Sequence, residues 1–146
     1  MSTNSNKAIY IVGILLLVDF LITLAILFTD HNLQTDFGSV KPYFIHWYGL
    51  LVTGIIDVIG AAVILARPSR QTATVAAVGT MLLAVFLIAD IATYHMVGFS
   101  SASSFATYLF GFSKYPSSLS YIPGLYDVLF VFYLITSGVA FALRNR

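Results

Sequence analysis

Four aspartates stand inside long apolar runs of this chain: Asp19, Asp57, Asp90 and Asp127. A carboxyl in that setting has few uses. It accepts hydrogen bonds from a neighbouring helix, holds or passes a proton, binds a cation, or pairs with a basic group. An Asp near the centre of a membrane-spanning helix costs about 2.5–3.5 kcal/mol on insertion scales, so four unrelieved ones would cost roughly 10–14 kcal/mol. Relief must therefore be built in. No Lys or Arg lies in any of the four runs, so an ion pair within one chain is excluded. The acids are then protonated, hydrogen-bonded to hydroxyls or backbone, bound to a cation, or met by a basic group of another subunit or a ligand.

Helical spacing gives each acid its companions. Thr53, Gly54, Asp57, Gly60 and Ala61 share one face, a small and polar one that must point into protein. His46 lies on the same face, about 16 Å away along the axis. Asp19 shares its face with Thr23, and Asp90 with Thr93 and Tyr94. Asp127 follows Pro123 by four and Gly124 by three, and Gly138 returns to that face. Asp19 and Asp57 fall near mid-depth, while Asp90 and Asp127 fall nearer the outer surface. The expected buried polar set is thus Asp19, Thr23, Thr53, Asp57, Asp90, Tyr94 and Asp127.

Other chemistry is thin. His95 is five residues after Asp90, about 140° round the helix, so the two do not form a dyad. His46 and His95 are weak candidates for a small metal site near the outer interface, and no ligand spacing supports one. His46 beside Trp47 and Tyr48 equally reads as an interfacial residue. A bis-His haem would need deeper histidines on facing spans. The chain has no cysteine, which excludes disulfides and thiolate chemistry. Phosphate-binding glycine loops, nucleophile elbows and metalloprotease motifs are absent from the sequence. No catalytic residue and no cofactor is expected.

The elements that must position the acids follow from composition. Of 146 residues 59% are hydrophobic and 9% charged, with mean hydropathy +0.92. A soluble domain carries about 25% charged residues, so a soluble globular enzyme, a disordered tail and a nucleic-acid binder are all excluded. The runs at about 8–28, 44–66, 73–98 and 119–143 each reach the roughly 20 residues needed to cross a bilayer. Continuous apolarity favours helices over barrel strands. The first run is too long for a signal peptide and has no small-residue cleavage site after it, so it is expected to be retained. The expected fold is an all-α integral membrane protein, a single transmembrane domain of four helices in an up-down bundle.

With four spans, Lys7, Arg67, Arg70, Arg144 and Arg146 share one side and Lys41 and Lys114 the other, which favours cytoplasmic termini in the cell membrane. The outer loops then cover about 29–43 and 99–118. Tyr43, Phe44, Trp47 and Tyr48 suit an interfacial aromatic belt. Phe105, Tyr108, Leu109 and Phe112 suit either a short interfacial helix or an apolar flap over the bundle. Asp19 and Asp90 are 71 residues apart, and Asp57 and Asp127 are 70 apart, with Gly-Ile-Ile-Asp-Val matched by Gly-Leu-Tyr-Asp-Val. This spacing suggests two tandem hairpins, residues 1–71 and 72–146, related by a pseudo-two-fold axis. Ala73/Ala77 and Gly138/Ala142 are small-residue strips suited to close helix packing or to association with other subunits.

Three functions fit. The first is a non-catalytic accessory or assembly subunit of a larger membrane complex, such as a membrane oxidase or monooxygenase, whose partner satisfies the acids. The second is a small proton-coupled carrier or permeation unit. The third is a membrane protein or enzyme that holds a lipid-like ligand with a cationic or hydroxylated group. The partners expected are the lipid bilayer and either other membrane subunits or a second copy, and not nucleic acid.

Overall fold

A computed structural model describes residues 3–29, 44–95 and 124–144. It is all-helical there, with α1 at Thr3–Thr29, α2 at Phe44–Ala66, α3 at Arg70–His95 and α4 at Gly124–Leu143. Three of these helices are long and apolar enough to cross a membrane, over Ala8–Thr29, Trp47–Ala66 and Arg70–Ala89. In the fourth, the apolar stretch among the described residues is the shorter Val128–Leu143. Residues 119–123 of the expected fourth span lie outside the described residues, as do both expected outer loops and the Phe105–Phe112 segment.

Helix ends follow local chemistry rather than the limits of the apolar runs. α1 begins five residues before the expected span, because nothing from Thr3 to Lys7 breaks a helix. α2 stops at Ala66, one residue before the Arg67-Pro68 pair, since a proline disfavours helical geometry in the residue before it. α3 then starts at Arg70, earlier than the apolar run, because Ser69 caps it. The Ser69 hydroxyl accepts from the Thr72 amide at 3.1 Å, and the Thr72 hydroxyl accepts from the Ser69 amide at 3.0 Å. This reciprocal cap satisfies two amides that the first turn would leave unpaired.

α1 and α2 pack through glycines. A Cβ on Gly13 would fall 2.9 Å from Leu65, and one on Gly54 would fall 3.1 Å from Thr23. Two apolar clusters hold the four helices together. One joins Leu16, Ile9, Ile64, Ala73 and Ala140; the other joins Ile26, Leu50, Leu87, Leu129 and Tyr133. Along α1 and α3 the first cluster precedes the second, and along α2 and α4 the order is reversed. The outward faces are apolar too: Leu21, Phe28, Val75 and Leu82 are each at least 60% exposed, while Asp19 and Asp57 are 0% exposed. This inverts the distribution of a water-soluble protein.

Candidate functional site

Between the two apolar clusters lies a layer of buried polar side chains, to which every helix contributes near its middle. α1 supplies Asp19 and Thr23, α2 supplies Thr53 and Asp57, α3 supplies Thr80, and α4 supplies Thr136 and Ser137, with the Tyr133 hydroxyl reaching in. The cause is helical spacing. Residues at i and i+3 or i+4 stay on one face, so Asp19 and Thr23, Thr53 and Asp57, and Tyr133 with Thr136 and Ser137 each turn inward together, while among the described residues α3 turns in Thr80 alone.

Three of the hydroxyls serve their own helices. Thr23 donates to the Asp19 carbonyl at 3.0 Å, Thr53 to the Leu50 carbonyl at 2.7 Å, and Thr80 to the Ala76 carbonyl at 2.8 Å. Such back-bonding satisfies a hydroxyl without help from another element. Among the described residues, three side-chain hydrogen bonds between helices each start from α4. The Tyr133 hydroxyl donates to Asp57 Oδ2 at 2.7 Å, and Thr136 donates to Asp19 Oδ2 at 2.8 Å. Ser137 donates to the Ala77 carbonyl at 2.7 Å. α4 therefore reads one residue on each of the other three helices.

Each carboxyl is only half satisfied. Asp19 Oδ1 and Asp57 Oδ1 are buried without a hydrogen-bond partner among the described residues. The two carboxyls lie near enough for each to sense the other's charge, and the hydroxyls of Thr23 and Thr53 lie beside that of Tyr133. Chemically, the layer offers two acceptor oxygens that no described residue occupies, next to hydroxyls that both donate and accept.

One side of the layer opens outward. α2 and α3 leave a cleft between them, formed of two cavities of about 530 Å³ each that adjoin at Ile56 and Leu83. The lower runs toward Gln71 and Thr72 and has Asp57 and Thr80 in its wall; the upper runs toward Tyr48 and Phe86 and has Thr53 in its wall. The remaining lining is apolar or glycine.

The structure thus brings together Asp19, Thr23, Thr53 and Asp57 from the expected set; on the small face of α2, Thr53, Gly54, Asp57 and Ala61 are buried and Gly60 is half-buried. His46, Asp90, Tyr94, His95 and Asp127 lie on α2, α3 and α4, but their side chains fall outside the described residues. Among the described residues, no group of three or more His, Asp or Glu side chains is placed to hold a metal. Asp19 and Asp57 turn inward to α4. Of the two small-residue strips, Ala73 and Ala77 are buried against the bundle, whereas Gly138 and Ala142 are exposed. The layer's α4 members, Tyr133, Thr136 and Ser137, were not among the expected residues, nor was Thr80. Their signal was the recurrence of hydroxyls at 133, 136 and 137, with Ala140 continuing the same face.

No family model matches this chain, and comparison with curated proteins and with solved structures returns no match.

Proposed function

We propose that this chain is a four-span integral protein of the cell membrane, an up-down helical bundle with both termini in the cytoplasm, acting as a small proton-coupled carrier or permeation unit. The observation that carries the reading is the central polar layer. Two fully covered carboxyls on neighbouring helices are each held by one α4 hydroxyl, and each keeps an oxygen without a partner. Intramembrane acids of this kind mark proton and ion pathways. The hydroxyls of Tyr133 and Thr136 supply the donor and acceptor capacity a short relay needs.

Several features support the setting. The apolar outer faces suit lipid. The alternating order of the two clusters along successive helices suits an up-down bundle. Five basic residues against two suit cytoplasmic termini. A tandem duplication of hairpins belongs to the same proposal, with its symmetry relaxed where α2 and α3 part around the cleft.

Reconstitution in liposomes under a pH gradient, read with an internal pH dye, tests the function. Wild type should dissipate the gradient, and Asp19→Asn and Asp57→Asn should each abolish that flux while retaining cooperative unfolding. A wild type that conducts nothing, or variants that conduct as well as wild type, would refute it.

A second reading, the accessory subunit of a larger membrane complex, is favoured by one observation. Gly138 and Ala142 are exposed on α4, and a Cβ at Gly138 would meet nothing within 4 Å. Such a strip suits the close approach of another helix. Purification in mild detergent decides this reading: a stoichiometric partner that Gly138→Leu releases supports it, and a chain that runs alone ends it.

A further inference from the structure

We propose that the α2–α3 cleft binds a lipophilic ammonium compound, with its hydrocarbon tail in the lower cavity and its N–H group on Asp57. The cleft volume of about 530 Å³ for that cavity falls within the roughly 300–1,000 Å³ of small-molecule sites. Its walls are mostly apolar, formed by residues such as Ile59, Val63, Val75 and Leu83. From Gln71 to Leu83 it follows about 18 Å of helix. A tail of that character gains nothing specific from such walls, because lipid is equally apolar. Selectivity must come from the polar group in the wall.

That group is Asp57. Its residue is 0% exposed, its Oδ2 is occupied by Tyr133, and its Oδ1 has no partner. A carboxylate oxygen only accepts hydrogen bonds, so its complement is a donor, and the strongest complement is a cationic donor. Among the described residues no Lys or Arg is paired with Asp57, and every Lys and Arg lies outside the four expected spans. Asp19 keeps a free oxygen too but does not line the cleft. Charge complementarity therefore selects an ammonium from outside the chain, which reaches the covered Asp57 Oδ1 from the cleft by displacing the side chains over it.

This assignment rests on the carrier reading only for turnover, because binding is measured apart from flux. The probes are dodecylammonium and dodecanol, titrated against the full chain in zwitterionic nanodiscs, with empty nanodiscs as blank. Two variants separate the head from the tail. Asp57→Asn keeps the shape and removes the charge. Gly79→Leu fills the cleft, where a Cβ would meet nothing within 4 Å, so the fold is not strained.

Wild type should bind dodecylammonium saturably and at least tenfold more tightly than dodecanol. Asp57→Asn should erase that preference, and Gly79→Leu should weaken dodecylammonium binding tenfold or more. Equal binding of the two probes to wild type overturns the proposal. So does dodecylammonium binding unchanged in Gly79→Leu, the variant that remains decisive if Asp57→Asn does not fold. Saturable, cleft-dependent binding without transport supports the site and refutes the carrier; proton flux without saturable binding does the reverse.

Discussion

Removing the Tyr133 hydroxyl isolates the bond that ties α4 to α2. Tyr133 is 0% exposed and donates to Asp57 Oδ2 at 2.7 Å, while Asp57 Oδ1 is already without a partner. Tyr133→Phe keeps the ring and its packing in the second apolar cluster, so the cavity it leaves is no larger than one oxygen. Two magnitudes compete. Leaving a buried acceptor unsatisfied costs about 1–3 kcal/mol in proteins generally. Interhelical hydrogen bonds in a membrane average only about 0.6 kcal/mol and reach about 1.7, because the unfolded chain in lipid finds substitute partners. Here the acceptor is a carboxyl that would lose its one side-chain partner among the described residues, so the upper membrane figure governs. The expected loss is about 1.5 kcal/mol, a little over tenfold in the unfolding constant. Reversible unfolding in bicelles measures it, in a double-mutant cycle with Asp57→Ala, which removes the acceptor oxygens. The coupling should approach the single-mutant loss. A coupling below about 0.3 kcal/mol, within the scatter of independent sites, would show that the 2.7 Å contact does not hold the bundle.

The same assay carries further expectations. Gly54→Ala places a Cβ 3.1 Å from Thr23 and 3.4 Å from Phe20 and should cost about 1–3 kcal/mol, whereas Gly138→Ala, with open space, should be neutral or stabilise by up to about 1 kcal/mol. Thr136→Val should destabilise by about as much as Tyr133→Phe, roughly 1.5 kcal/mol, because it strips Asp19 Oδ2 of its donor. Ser69→Ala should cost about 1 kcal/mol by uncapping α3, and a loss below a few tenths would mean that water replaces the cap. Orientation can be read by labelling, since the chain has no native cysteine. On the proposed topology Gln71→Cys reacts with an impermeant maleimide only from the cytoplasmic side and Asn32→Cys only from outside, and the opposite pattern reverses the orientation.

How far the site was legible depended on charge. On α1 and α2 a single Asp marked the inward face, and Thr23, Thr53, Gly54 and Ala61 followed from it by spacing. Those faces are buried in the structure. On α4 the one acid is Asp127, near the helix start, and spacing from it leads to Gly124 and Gly138 instead of Tyr133 and Thr136. A helix that is apolar all round has no polar side to contrast with, so its inward face is not written in its periodicity. Hydroxyls are a faint mark because they can bond their own helix, as Thr80 does to Ala76. The strips show the same limit. Ala73/Ala77 and Gly138/Ala142 are alike in spacing, but only packing of the hairpins decides that one is covered and the other is not. The cleft was illegible for that reason too, since it is a distance between α2 and α3 and not a property of either.

The cleft also separates two acids that the polar layer treats alike. Asp19 and Asp57 look alike in depth, in burial and in having one α4 hydroxyl each. Yet Asp57 lies in the wall of the cleft and Asp19 does not. Asp19 is 0% exposed and lies in the wall of neither cavity. On the proposed function the pair therefore divides its work, with Asp57 meeting what enters from the bilayer and Asp19 setting the field in which Asp57 binds or releases it. Asn at either position should stop flux, but only Asn at position 57 should remove the preference for an ammonium head. Loss of that preference in both variants would mean that the two carboxyls act as one group, and the division would fall.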